Sequence, residues 1–114
     1  MIDWDRIRLL RAEVGAEDFD EVVEIFIEEV SEMIEMLRNA PCVESLGSQL
    51  HALKGSALNL GFSRFADLCQ HGETSAANGM ADDIDLGPIL RCYDVSKQNF
   101  LDGLATGQAE GRAA

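Results

Sequence analysis

Apolar residues recur at steps of three and four along most of this chain, and no stretch shows the period of two that marks a half-buried strand. The clearest run is AEDFDEVVEIFIEEVSEMIEMLRNAP, where Phe19, Val22, Val23, Phe26, Val30, Met33, Ile34 and Leu37 hold one stripe on one helical face over about five turns. Acids crowd its first turn, where the helix dipole favours them, and Asn39 with Pro41 ends it. Ahead of it, DWDRIRLLRAEVG predicts a short helix over about 3–14, with Asp3 as N-cap and Gly15 as stop.

A third helix is predicted from about Pro41 to Gly61, with Val43, Leu46, Leu50, Leu53, Ala57 and Leu60 on its core side. The fourth, FSRFADLCQHGETSAANG, starts at Ser63 as N-cap and stops at Asn78-Gly79; Gly72 and the ETSA stretch dilute its stripe. After the loop GMADDID, a fifth helix carries Leu86, Ile89, Leu90, Tyr93, Phe100, Leu101 and Leu104, with Asp85 as cap and Pro88 in the first turn. Four long amphipathic helices on short connections predict an all-α fold. The expected architecture is an up-down-up-down antiparallel four-helix bundle over about residues 16–104, with the short N-terminal helix closing one end. Residues 1–114 form a single domain in this reading, with a frayed tail at about 105–114.

At 114 residues the chain holds one modest core and is too short for a catalytic domain plus a substrate domain. Nine Lys and Arg against 21 Asp and Glu give a formal net charge of −12, which excludes nucleic acid and anionic membrane as partners of its overall surface. No apolar run approaches the ~20 residues of a membrane span. The N-terminal MIDWDRIRLL lacks an apolar segment after a basic start, and only three cysteines occur (Cys42, Cys69, Cys92), so the prediction is a cytoplasmic protein with reduced thiols.

The third helix carries the candidate chemistry. On a wheel at ~100° per residue with Leu46 at zero, its core positions centre near ~10° and His51 falls near ~140°, facing water or a partner. Gly47 and Gly55 flank His51 one turn to either side, each at a cost of ~1 kcal/mol against alanine. The simplest reason is access, since no side chains there stop another protein closing over the imidazole. Lys54 lies at i+3, placed to put an ammonium beside an anion on His51, and Leu58 is apolar but off the core stripe, as a docking contact would be.

HALKGSALNLG resembles the histidine phosphotransfer (HPt) signature, in which a His is followed at three by Lys, at four by Gly, at five by Ser or Ala, and later by Leu-Gly. Here those are His51, Lys54, Gly55, Ser56, Leu60 and Gly61. The stretch FADLCQHGE is similar to the family's pattern after the motif, and the likeness covers most of residues 16–104. It implies a phosphorelay intermediate of two-component signalling that takes a phosphoryl group on His51 through Nε2. Its partners would be response-regulator receiver domains and a hybrid or sensor histidine kinase, with Lys54 favouring the phosphoryl charge and Gly55 leaving room for the receiver.

No carboxylate cage for Mg²⁺ stands near the motif, so that ion is expected on the partner receiver, and the chain reads as a phosphocarrier rather than an enzyme. Ser56 falls near ~280° on the wheel, far from His51, and reads as a small packing residue. By analogy with the family the second helix shares the docking surface, with Ile25 and Met36 as its apolar candidates.

Other chemistry-bearing residues have plainer readings. His71, in CQHGE, lacks the glycine-flanked basic setting of His51 and reads as an inert surface residue. The cysteines match no zinc spacing and read as small buried hydrophobes, leaving no metal site. Trp4, Phe19, Phe26, Phe65 and Phe100 fall on or near apolar stripes, while Glu21, Glu24, Glu28, Glu32 and Glu35 form a solvated acidic face. The competing function is a helical module that binds a receiver or kinase without transferring phosphoryl. An acidic mimic of nucleic acid rests on net charge alone. A single His face without a long heptad seam favours a monomer.

Overall fold

The computed structural model describes residues 2–110. Among them stand five α-helices: α1 (Trp4–Val14), α2 (Ala16–Asn39), α3 (Val43–Asn59), α4 (Ser63–Ala77) and α5 (Leu86–Ala105). Short 3-10 turns at Ala81–Asp83 and Gln108–Glu110 complete the order. The helix α2 packs on α3, α3 most extensively on α4, α4 on α5, and α5 back on α2. The described residues contain no strand, only an isolated bridge between Ile2 and Phe62, so the fold is an all-α bundle as the periodicity predicts.

The core fills from every stripe. Ile34, Leu37, Leu50, Leu53, Leu60, Phe62, Phe65 and Phe100 are among its fully enclosed side chains. At one end Phe62 lies edge-on to Phe100, and Trp4 stacks on Phe100 with ring centroids 5.8 Å apart. A part-buried hydrogen bond between α2 and α5 joins Ser31 Oγ to Tyr93 Oη at 2.7 Å, where burial raises the phenol's pKa above its ordinary value. The helix α1 is tied to the turn between α3 and α4. Asp3 N donates to Gly61 O at 2.7 Å, and a Cβ at Gly61 would collide with the Asp3 carbonyl. Gly61 also sits at φ +70°, in the left-handed region glycine tolerates, and it ends the helix that carries the motif.

Several local expectations are corrected. Val43 opens α3 but is 46% exposed, because the first turn extends past the end of the core. Leu101 is 43% exposed on the outer side of α5. The N-cap of α4 is the buried Phe62, and Ser63 is the first helical residue. Asp3 and Asp85 do cap, accepting from Arg6 N and Gly87 N. Gly72, read as a weakness of α4, is buried against Leu50. Within the stretch expected as tail, Ala109 is buried and Arg8 Nε donates to Gln108 O at 3.0 Å. The rest of the predicted frayed tail, 111–114, lies outside the described residues.

Candidate functional site

Two helices build the site, and their register decides who meets whom. Gly47 faces Ala76, His51 faces Glu73, and Lys54 faces Gln70. Rising numbers on α3 meet falling numbers on α4, so the two run antiparallel. Small residues let the helices close in: a Cβ at Gly47 would stand 3.2 Å from the Ala76 Cβ, and one at Gly72 2.6 Å from Leu50 Cδ1.

His51 lies on the exposed edge of this seam with its side chain 67% accessible. Its Nδ1 is 2.6 Å from Glu73 Oε1, and Lys54 Nζ is 3.2 Å from Glu73 Oε2. One carboxylate therefore serves both motif residues, an oxygen to each. Lys54 also donates to Gln70 Oε1 at 2.7 Å, and Gln70 Nε2 donates to Thr74 Oγ1 at 3.1 Å. The hydrogen bond from His51, seconded by Lys54, holds the Glu73 carboxyl below the usual carboxylate range.

At 2.6 Å the contact between Nδ1 and the Glu73 carboxylate is a hydrogen bond, and the chemistry of the two groups fixes which one donates. An ionised carboxylate can only accept, so Nδ1 must donate. In the neutral ring the proton then sits on Nδ1 and the lone pair on Nε2, the nitrogen away from the protein's carboxylate. The arrangement leaves Nε2 on the exposed edge of the seam, with the ring held by Glu73 and the Lys54 ammonium on the same carboxylate.

The remaining sequence candidates separate into two groups. Gly55 is exposed, and an added Cβ would meet nothing within 4 Å, so no internal contact requires glycine there. Leu58 is 53% exposed without a packing role in the core. Gly47, in contrast, has a packing reason in its approach to Ala76. Ser56 is half-buried, and its carbonyl accepts from Leu60 N. Ile25 and Met36 are exposed on α2. His71 is exposed on α4 and takes no part in the Glu73 cluster.

Glu73 is the residue whose role the linear reading missed. It sits inside FADLCQHGE, yet only the antiparallel register of α3 and α4 reveals its partner. The signal was available, because a hairpin turning at Gly61-Phe62 pairs position 51 with position 73.

A family model described as Hpt domain matches residues 21–102, spanning α2 to α5 and the whole site. The chain belongs to the Hpt-domain family. Hpt domains carry histidine-bound phosphoryl groups in two-component signalling, exchanging them with receiver domains and kinases, and are phosphocarriers rather than enzymes. No curated protein and no solved structure matches this Hpt-domain chain. Among the described residues no helix is long and apolar enough to cross a membrane.

Proposed function

We propose that this Hpt domain accepts a phosphoryl group on Nε2 of His51 and exchanges it with the aspartate of a response-regulator receiver. The observation that carries the reading is the Glu73 carboxylate, bound at once to His51 Nδ1 and Lys54 Nζ. Attack by the Nε2 lone pair forms the N–P bond as the P–O bond to the aspartate breaks, and the aspartate leaves as carboxylate. The ring gains positive charge in that step, and Glu73 opposes it through the Nδ1–H hydrogen bond. In the reverse direction the same proton stays on Nδ1, so the leaving group is neutral imidazole rather than an imidazolate anion. One carboxylate thus supports both halves of a relay.

Lys54 has the second role, with an ammonium that offsets the arriving phosphoryl charge. Gly55 keeps the approach along α3 free of side chains. The donor set at the site is a single carboxylate already engaged by His51 Nδ1 and Lys54 Nζ, which does not fit a magnesium site, so Mg²⁺ belongs to the receiver in this reading. The acidic surface and three free cysteines suit a monomeric phosphocarrier in a reducing cytoplasm.

The test is transfer from a phosphorylated receiver, read by intact mass. The expected result is an acid-labile gain of one phosphoryl by the wild type and none by His51→Gln, with helicity unchanged. Label persisting in His51→Gln would refute the assignment. Binding of receivers without label in the wild type would leave the non-transferring module.

A further inference from the structure

Beside His51 a groove of about 480 Å³ runs between α3 and α4 toward the start of α3. Small residues line most of it (Gly47, Ser48, Ala76, Ala77 and Ala81), with His51 at one end and Val43 and Glu44 toward the other. At a helical rise of ~1.5 Å per residue, Val43 stands ~12 Å along the axis from His51. The groove is open because glycine and alanine occupy the positions where larger side chains would fill it. Its accessible lining is mostly apolar, and its two charged residues are both acids, Glu44 and Glu73. Glu73 is engaged by His51 and Lys54, whereas the exposed Glu44 makes no ion pair among the described residues.

We infer that the receiver exchanging phosphoryl with His51 seats a large apolar side chain in this groove and sets a lysine or arginine against Glu44. The inference rests on the phosphotransfer reading and adds how the partner is chosen. Two observations select this occupant. His51 is itself a wall of the groove, so a protein that brings an aspartate to Nε2 covers the groove's near end. The rim beyond is an unpaired carboxylate on a chain of net charge −12, which favours a cation at that point of the partner. Recognition is then divided along α3: Gly55 and Leu58 on one side of His51, and the groove with Glu44 on the other.

The variants are Ala77→Phe, which fills the groove from an exposed position at the end of α4, and Glu44→Arg, which reverses the rim charge. Both are compared with wild type using the receiver domain of the source genome that transfers to it fastest, and in parallel using phosphoramidate. The small donor gives its phosphoryl to Nε2 and leaves as ammonia, without needing the groove. The expected result is a fall of at least tenfold in the ratio of receiver-driven to phosphoramidate-driven labelling for Ala77→Phe. Glu44→Arg should slow receiver transfer severalfold at low salt, with the gap closing at high salt. An unchanged ratio for Ala77→Phe would overturn the groove while leaving phosphotransfer intact. Failure of the wild type to take label from any receiver or from phosphoramidate would overturn the phosphotransfer reading and the inference with it. A wild-type mass of twice 12.5 kDa in solution, reduced to one chain by Ala77→Phe, would give the groove to a second copy and refute the receiver as occupant.

Discussion

Replacing Gly72 by alanine is expected to destabilise the bundle and to slow the site at the same time. In an unstrained helix the change would stabilise by about 0.5–1 kcal/mol, since alanine loses less backbone freedom. Here the new Cβ would lie 2.6 Å from Leu50 Cδ1 and 3.6 Å from Ile89 Cδ1. Leu50 has no solvent to move into, being fully buried, so it must shift by about 1 Å to regain an ordinary carbon contact. Overpacking of this kind costs about 1–3 kcal/mol, which exceeds the gain in propensity. The net loss of about 1 kcal/mol should lower Tm by about 3–6 °C in a domain of this size.

The strain also reaches function, because Leu50 precedes His51 and Gly72 precedes Glu73. Opening the seam there lengthens the 2.6 Å contact on which the imidazole's orientation depends. The assay is thermal unfolding by circular dichroism, with transfer from a phosphorylated receiver measured well below Tm. Adding Leu50→Val should relieve the clash, so that the double variant is more stable than the sum of the single changes allows. A Tm above wild type for Gly72→Ala alone would refute the close approach of α3 and α4.

Other expectations address the site and its surroundings. Glu73→Gln should keep the fold but slow transfer in both directions by about tenfold or more, since the amide cannot balance charge on the ring. Glu73 titrates lower folded than unfolded, so its stabilising pair is complete above the ordinary value of 4.5 and fades as pH falls through the lower folded value. The Tm advantage of wild type over Glu73→Gln should therefore shrink only in strong acid; an advantage that instead disappears between pH 7 and 5 would contradict it. Gly55→Gln should leave Tm within a few degrees of wild type yet block receiver transfer, and unchanged rates would remove the access argument. Cys42, unlike Cys69 and Cys92, is exposed and not the buried hydrophobe its sequence suggests, and the hydrogen bond from Ser45 lowers its pKa, so alkylation of the native protein should label it first. Burial pushes Cys69 up to about 12, so its label should await unfolding.

Periodicity carried the fold because every long helix here buries one continuous stripe, and caps such as Asp3 and Asp85 mark their ends in the sequence. It failed where position along the bundle matters more than position on the wheel. Val43 has the right angle but lies past the core, and Leu101 faces outward on a helix whose next neighbour, Phe100, is enclosed. Ala109 shows a third limit, since its burial depends on Arg8 holding the chain from another helix. At the site, His51 and its exposure were legible from one helix, and Lys54 from its spacing. The carboxylate that organises both was not, because pairing 51 with 73 requires knowing how two helices register. Gly47 and Gly72 belong to the same lesson: each is small for the sake of a facing helix that a wheel does not contain.

The most direct measurement is nitrogen-15 NMR of the His51 ring before and after exposure to a phosphorylated receiver. The account predicts a proton on Nδ1, bonded to Glu73, before transfer, and phosphorus coupling at Nε2 of His51 afterwards with the Nδ1 proton retained. Phosphorus on Nδ1 or on His71, or a free ring already protonated on Nε2 alone, would contradict it.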